Sequence, residues 1–202
     1  KIENSRNYIA LTFDDGPNEY TESILKILKE HEVKASFFQI GAKMRSHPAL
    51  TRRVFAMGHE PGNHTMTHPR LPELESEEAI RKEIGDFQTL ATEMTGTIPR
   101  VFRAPYVQFD ERVWAVLDEL GLPAFHAHVW ADYKGDGDLA DPAIASAHAQ
   151  AAAAKVKGGS VILMHEREIT LHYLDEFVAQ LKKAGFAFVT VSELMKEAKP
   201  SS

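Results

Sequence analysis

The chain contains no cysteine. That absence excludes disulfides, thiolate zinc ligands and a cysteine nucleophile, and it fits either redox compartment. No apolar run approaches the roughly 20 residues that a membrane-spanning helix needs, and Lys1 to Arg6 lacks the apolar core of a signal peptide. A chain that begins at Lys1 rather than Met is expected to be a processed or trimmed product. Basic residues are too dispersed to form a phosphate-binding face, and the net charge is −6 with histidine neutral. Nucleic acid is therefore not an expected partner. No linker, low-complexity tract or fixed-period repeat divides the 202 residues, so a single domain over 1–202 is expected.

What is present is an alternation of short apolar runs with longer amphipathic ones, the pattern of strand-helix units around a mostly parallel sheet. Strands are expected at Tyr8 to Phe13, Ala35 to Gln39, His59 to Asn63, Val101 to Arg103, Pro123 to Val129, Ser160 to Met164 and Phe186 to Thr190. The third is weakened by Pro61. Between them, Thr21 is expected to cap a helix carrying Ile24, Leu25, Ile27 and Leu28, and Pro48 to Met57 forms another. Ser76 opens a long helix that Gly96 ends, Asp110 caps one that runs to Gly121, and Asp141-Pro142 enters an alanine-rich helix. Leu171 to Ala184 is a further helix, and a short one follows Ser192. About seven units suit an incomplete or distorted (β/α) barrel, with an open doubly wound sheet as the alternative that periodicity does not separate.

The first apolar run stops at Asp14-Asp15-Gly16-Pro17. Adjacent carboxylates in a cleft repel each other and require a cation or a basic side chain nearby. On the expected map Asp14 and Asp15 end strand one, His64 and His68 follow strand three, Arg103 ends strand four, Asp132 follows strand five and His165 follows strand six. All fall at the carboxyl ends of strands, the edge where binding and catalytic groups converge in parallel α/β folds. His64-Thr65-Met66-Thr67-His68 spaces two imidazoles one helical turn apart, although Pro69 favours a short turn over a helix. Alone the pair reads rather as two unrelated polar loop residues. With Asp15 it completes a two-histidine, one-carboxylate ligand set whose metal would let both acids ionise.

Thr12-Phe13-Asp14-Asp15-Gly16, His64-Thr65-x-x-His68, Arg103-x-Pro105-Tyr106 and Leu163-Met164-His165 resemble, in order and approximate spacing, four of the five motifs of the polysaccharide deacetylases. This is the NodB-homology group, also called carbohydrate esterase family 4, and the similarity runs from about Tyr8 to Leu194. It implies a distorted (β/α) barrel and a hydrolase that removes acetyl groups from a polysaccharide or oligosaccharide with one divalent metal: zinc first, with cobalt, nickel or manganese as alternatives. By the resemblance Asp15, His64 and His68 are the metal ligands, Asp14 is the general base and Arg103 orients it. The backbone N–H of Tyr106 helps hold the oxyanion, His165 is the general acid, and Leu163 lines the pocket for the acetyl methyl.

The fourth motif departs from the family pattern: Val129-Trp130-Ala131-Asp132-Tyr133 keeps one Asp, which would orient His165, and replaces a Trp by Tyr133. Trp130 or Tyr133 would offer the aromatic wall on which a sugar ring packs. Pro61 and Val107, where relatives often have Gly, are further departures. Asp132, Asp136, Asp138 and Asp141 fail the spacing of a calcium loop. His126 and His128 share one side of their strand. His31, His47, His148 and His172 are expected on surfaces or helix faces, and Glu166 either adjusts His165 or meets solvent. Three functions remain open: an N-deacetylase on GlcNAc polymers such as chitin or peptidoglycan, an O-acetyl esterase on xylan or a similar glycan, and a non-catalytic carbohydrate-binding relative. The resemblance places the protein outside the cell or at its envelope, and a monomer is favoured over an oligomer.

Overall fold

The computed structural model describes residues 7–132 and 138–197. Six strands form among them and belong to one parallel sheet that does not close on itself, which agrees with the expected incomplete barrel. By contact the residues divide into two compact units interleaved along the chain. One holds the residues up to Phe13, Glu19–Ser36 and everything from Ala127 onward; the other holds Asp14–Asn18 and Phe37–His126.

In the first unit, β1 (Tyr8–Asp14) is buried from Ile9 onward, as an apolar run covered on both faces should be. β5 (Val161–His165) lies between β1 and β4 (Val129–Trp130), with Val129 opposite Ile162 and Trp130 opposite Leu163. β6 (Ala187–Phe188) pairs with β1 at Tyr8 and Ile9. α1 (Thr21–Glu30) buries Ile24, Leu25 and Leu28. Thr21, the expected cap, is instead its first helical residue; Tyr20 precedes it without a side-chain cap. α6 (Pro142–Ala153) starts where Asp141 accepts a hydrogen bond from the Ala143 N–H at 2.8 Å, with Pro142 in the first turn. Its buried Ala145, Ala149 and Ala152 let it pack against α8 (Leu174–Lys183). The helix expected from Leu171 is split, because α7 (Glu168–Leu171) precedes α8 as a separate turn. α9 (Val191–Glu197) closes the described chain and begins one residue before the expected Ser192.

In the second unit, β2 (Ser36–Gln39) adjoins β3 (Glu60–Asn63). The expected strand Val101 to Arg103 is reduced to bridges at Phe102, which pairs with Asn63 on one side and Ala124 on the other. The expected strand Pro123 to Val129 is broken for a related reason. Phe125 N–H donates to Phe102 O at 2.8 Å, whereas His128 N–H donates to Val161 O at 2.8 Å, so the run serves one unit up to His126 and the other beyond it. α2 (Gly41–Ser46), which periodicity did not signal, is followed by α3 (Pro48–Ala56).

α4 (Glu77–Thr95) has the expected ends: Ser76 accepts from the Ala79 N–H at 3.2 Å, and Gly96 takes a left-handed φ of 70°. Its face Ile80 and Ile84 packs with Leu71, Phe102 and, from α5 (Glu111–Glu119), Val113, Val116 and Leu117. Asp110 caps α5 through the Val113 N–H at 2.9 Å. Phe109, just before the cap, stacks on Trp114 at 4.4 Å, a hydrophobic staple that fixes the entry of the chain. No helix among the described residues is long and apolar enough to cross a membrane.

Gly62 shows how tightly β3 is fitted: a Cβ there would come within 2.5 Å of the Phe38 ring, closer than packed carbon atoms tolerate. Gly62→Ala is expected to displace Phe38 and to lower the unfolding free energy by about 1–3 kcal/mol, measured by denaturant titration.

Candidate active site

β1 ends on Asp14, and Asp15 follows in a left-handed conformation with φ 69°. An aspartate tolerates that region better than most side chains, and both carboxylates stay near His64 Nε2, Asp14 Oδ2 at 4.0 Å and Asp15 Oδ1 at 3.5 Å. Asp14 is buried, and its Oδ1 accepts a 2.6 Å hydrogen bond from Arg103 Nη1. Arg103 is itself only 1% exposed. Its Nε donates to Phe125 O at 3.2 Å, and its guanidinium lies 4.2 Å from the centre of the Phe38 ring. A fixed cation on one carboxylate meets half of the requirement that the adjacent acids impose.

The other half falls at Asp15. Its Oδ1 lies 3.5 Å from His64 Nε2 and 3.3 Å from His68 Nε2. One ligand atom from each residue lies within 4.8 Å of the others. Tetrahedral zinc with ligands near 2.05 Å separates them by roughly 3.3 Å, so the spacing fits. The chemistry of the donor set agrees. The Arg103 carbonyl lies 2.7 Å from His64 Nδ1, which places the proton on Nδ1 and turns the Nε2 lone pair toward a carboxylate oxygen. Two lone-pair donors aimed at one point suit a cation between them, and orientation of a ligand imidazole by a carbonyl is typical of metal sites.

The loop that presents the histidines is held from below. Asn63 Oδ1 accepts from the Thr65 N–H at 2.9 Å, and its Nδ2 donates to Ile84 O at 3.0 Å and to Gln88 Oε1 at 3.1 Å. Thr65 Oγ1 accepts from the His68 N–H at 3.0 Å. Thr65 and His68 both have positive φ, 66° and 63°. Non-glycine residues in that region cost about 1 kcal/mol or more each and concentrate at functional sites. The turn is therefore not the helical one that H-x-x-x-H spacing allows, in agreement with the expectation from Pro69. The rings of His64 and His68 meet edge to face at 4.8 Å, and His68 meets Tyr106 in the same way at 4.8 Å. Tyr106 is 53% exposed under the Arg70 guanidinium. Both it and Val107 have φ 57°, so a β-branched residue occupies a conformation that glycine adopts without penalty.

The other unit carries a second constellation. His165 ends β5; its Nδ1 lies 2.5 Å from Asp132 Oδ2, and its backbone N–H donates to Asp132 Oδ1 at 3.1 Å. Asp132 is therefore the carboxylate partner of His165. Leu163 is buried, whereas Trp130 is 46% exposed. Tyr133 and Asp136 lie outside the described residues.

Several side chains differ from expectation. Glu166 is buried and accepts a hydrogen bond from the Thr21 hydroxyl, so it does not meet solvent. His148 is on a helix face, as one of the two expected placements has it, half-buried with Nε2 2.7 Å from Ala131 O. His126 packs on Phe109 at 5.1 Å, where burial first and the charge of Arg103 second depress its pKa. Asp138 and Asp141 cap backbone N–H groups. Lys43 was not foreseen at all: its Nζ donates to the Asp15 carbonyl at 2.7 Å. A lysine on an unsignalled helix leaves no trace in motif spacing.

The polysaccharide deacetylase family model matches residues 1–125, and the chain belongs to that family. A peptidoglycan-N-acetylglucosamine deacetylase of Bacillus cereus is 32% identical over 201 residues, 97% of this chain and 92% of its own. One of Listeria monocytogenes is 34% identical over 194 residues, 94% of this chain; the chain spans 39% of that protein's length. Among solved structures, a CE4 family pseudoenzyme from Bacillus anthracis is similar with a TM-score of 0.84 at 26% identity, over 98% of this chain and 68% of the other.

The Asp14–Arg103 pair yields a stability test. Arg103→Met strands a buried carboxylate and is expected to cost about 3–5 kcal/mol at neutral pH in urea denaturation, whereas the double variant Asp14→Leu/Arg103→Met recovers most of the loss.

Proposed function

We propose that the protein is a metal-dependent carbohydrate deacetylase that removes N-acetyl groups from GlcNAc-containing glycans of the peptidoglycan or chitin type, outside the cell or at its envelope. The observation that carries the reading is the convergence of Asp15, His64 and His68 beside the Asp14–Arg103 pair. The fold is a weaker argument, since a pseudoenzyme also has it; an inert binder has no need of a base, an acid and a metal-ligand set together.

In this reading Asp15, His64 and His68 hold one divalent ion, zinc by the ligand set. Such an ion, when bound, polarises the acetyl carbonyl and acidifies water. The remaining steps belong to the chain. Asp14 takes the proton of the attacking water at Oδ2, since Oδ1 is engaged by Arg103. Arg103 pairs with that carboxylate and fixes its orientation. The backbone N–H of Tyr106 donates to the developing oxyanion. His165 holds a proton on Nδ1 toward Asp132 and delivers another from Nε2 to the departing nitrogen. Leu163 receives the acetyl methyl, and the exposed rings of Trp130 and Tyr106 offer apolar faces to sugar. Two relatives named for N-acetylglucosamine deacetylation favour the amide over the ester.

Acetate release from a panel of acetylated oligosaccharides, with mass spectrometry of the products, tests the reading. GlcNAc oligomers are expected to lose acetyl groups and acetylated xylan to be poorer. Chelation is expected to abolish release and zinc to restore it. Asp14→Asn is expected to lower kcat by about 10² to 10⁴. Undiminished turnover after thorough metal removal sinks the mechanism.

A further inference from the structure

The Asp132–His165 dyad is held by more than its own hydrogen bonds. Ala131, the residue before Asp132, is tied on both sides: its N–H donates to Leu163 O at 2.9 Å, and its carbonyl lies 2.7 Å from His148 Nε2 on α6. The proton of that hydrogen bond belongs to His148, because a carbonyl only accepts. The His148 ring in turn meets the buried Tyr173 ring edge to face at 4.6 Å and 85°. Tyr173 closes the circuit, since burial first and the charge of Asp132 second hold its phenol protonated well above the usual range. The Thr170 hydroxyl donates to the His165 carbonyl at 2.8 Å.

These contacts give the short β4 a support that its length does not provide. With two residues, β4 pairs with β5 at Val129 and Trp130, and the two hydrogen bonds on Ala131 carry that support one residue further, to the neighbour of Asp132. Displacement of a carboxylate that orients an imidazole changes both the direction and the basicity of the ring, which is how outer partners act on a catalytic histidine.

We infer that His148 is a positioning residue for the reaction: its Nε2–H fixes the Ala131 carbonyl so that Asp132 stays on Nδ1 of His165. The inference rests on the assignment of His165 as the acid. Asp132, His148 and Tyr173 are the titratable groups of this circuit, and burial keeps the Tyr173 phenol protonated.

The test compares His148→Gln, whose Nε2 can reach the same carbonyl, with His148→Phe, which keeps a ring against Tyr173 and removes the donor. Zinc-loaded full chain is assayed on a soluble GlcNAc pentamer. His148→Phe is expected to lower kcat about tenfold with KM within about twofold. It also moves the alkaline limb of the kcat profile to lower pH, because an imidazole with a loosened carboxylate releases its proton more easily. His148→Gln restores both. A wild-type kcat and alkaline limb in His148→Phe overturns the inference, as does equal impairment of both variants with equal loss of thermal stability. If no substrate is turned over by the wild type, the proposed function fails separately, and the His165 Nδ1–H proton resonance still decides the positioning role. The resonance, assigned by its loss in His165→Gln, is expected to persist in His148→Gln and to shift or broaden in His148→Phe; an unchanged resonance overturns it.

Discussion

Two neighbouring carboxylates at the end of β1 set the terms for everything around them. Water would screen their repulsion, but Asp14 is buried, and a buried anion persists only where it is paired. The fold supplies two unlike answers within a few ångströms: a fixed guanidinium for Asp14 and, around Asp15, two imidazole nitrogens that together with its carboxylate can hold a cation. The left-handed turn at Asp15 makes the division possible, since in an extended strand successive side chains would leave on opposite faces.

Arg103 joins the two halves. Its side chain holds Asp14 while its carbonyl accepts from His64 Nδ1, so one backbone position orients both the proposed base and a proposed ligand. That position depends on Phe38 beneath the guanidinium and, through Phe38, on the missing side chain of Gly62. The chain of support runs from a strand glycine to the chemistry. Backbone strain at Thr65, His68, Tyr106 and Val107 is offset by the same rigid surroundings, among which the Asn63 amide bridges β3 to α4.

Much of this was legible in the sequence because it depends on order and spacing. Strand ends fall where apolar runs stop, and Asp14, Asp15, His64, His68, Arg103 and His165 all sit at such ends or in the loops just after them. The caps Ser76, Asp110 and Asp141 and the stop at Gly96 were equally readable, since each acts on backbone groups four residues away or fewer. What escaped has a common physical cause. The run from Pro123 to Val129 has strand composition, yet it is broken because Phe125 bonds to Phe102 in one unit and His128 to Val161 in the other; the run around Phe102 makes only bridges, to Asn63 and Ala124. Glu166 reads equally as a solvent-facing residue, and it is buried with Thr21 as its hydrogen-bond partner; the contact of His148 with Ala131 has no local signature. Lys43 caps a carbonyl 28 residues away, a relation with no local signature. The two hydrogen bonds that join Asp132 to His165 lie between residues 33 apart and likewise leave no local trace.

The account reduces to the claim that Asp15, His64 and His68 form one cation site. Cobalt titration of metal-free protein, followed by visible absorption and calorimetry, addresses it without any assumption about substrate. The prediction is one equivalent of cobalt per chain with the spectrum of a nitrogen and oxygen ligand set, lost in His64→Ala, His68→Ala and Asp15→Ala and retained in His165→Ala. Stoichiometric binding that survives removal of His68 or Asp15, or that disappears with His165, would contradict it.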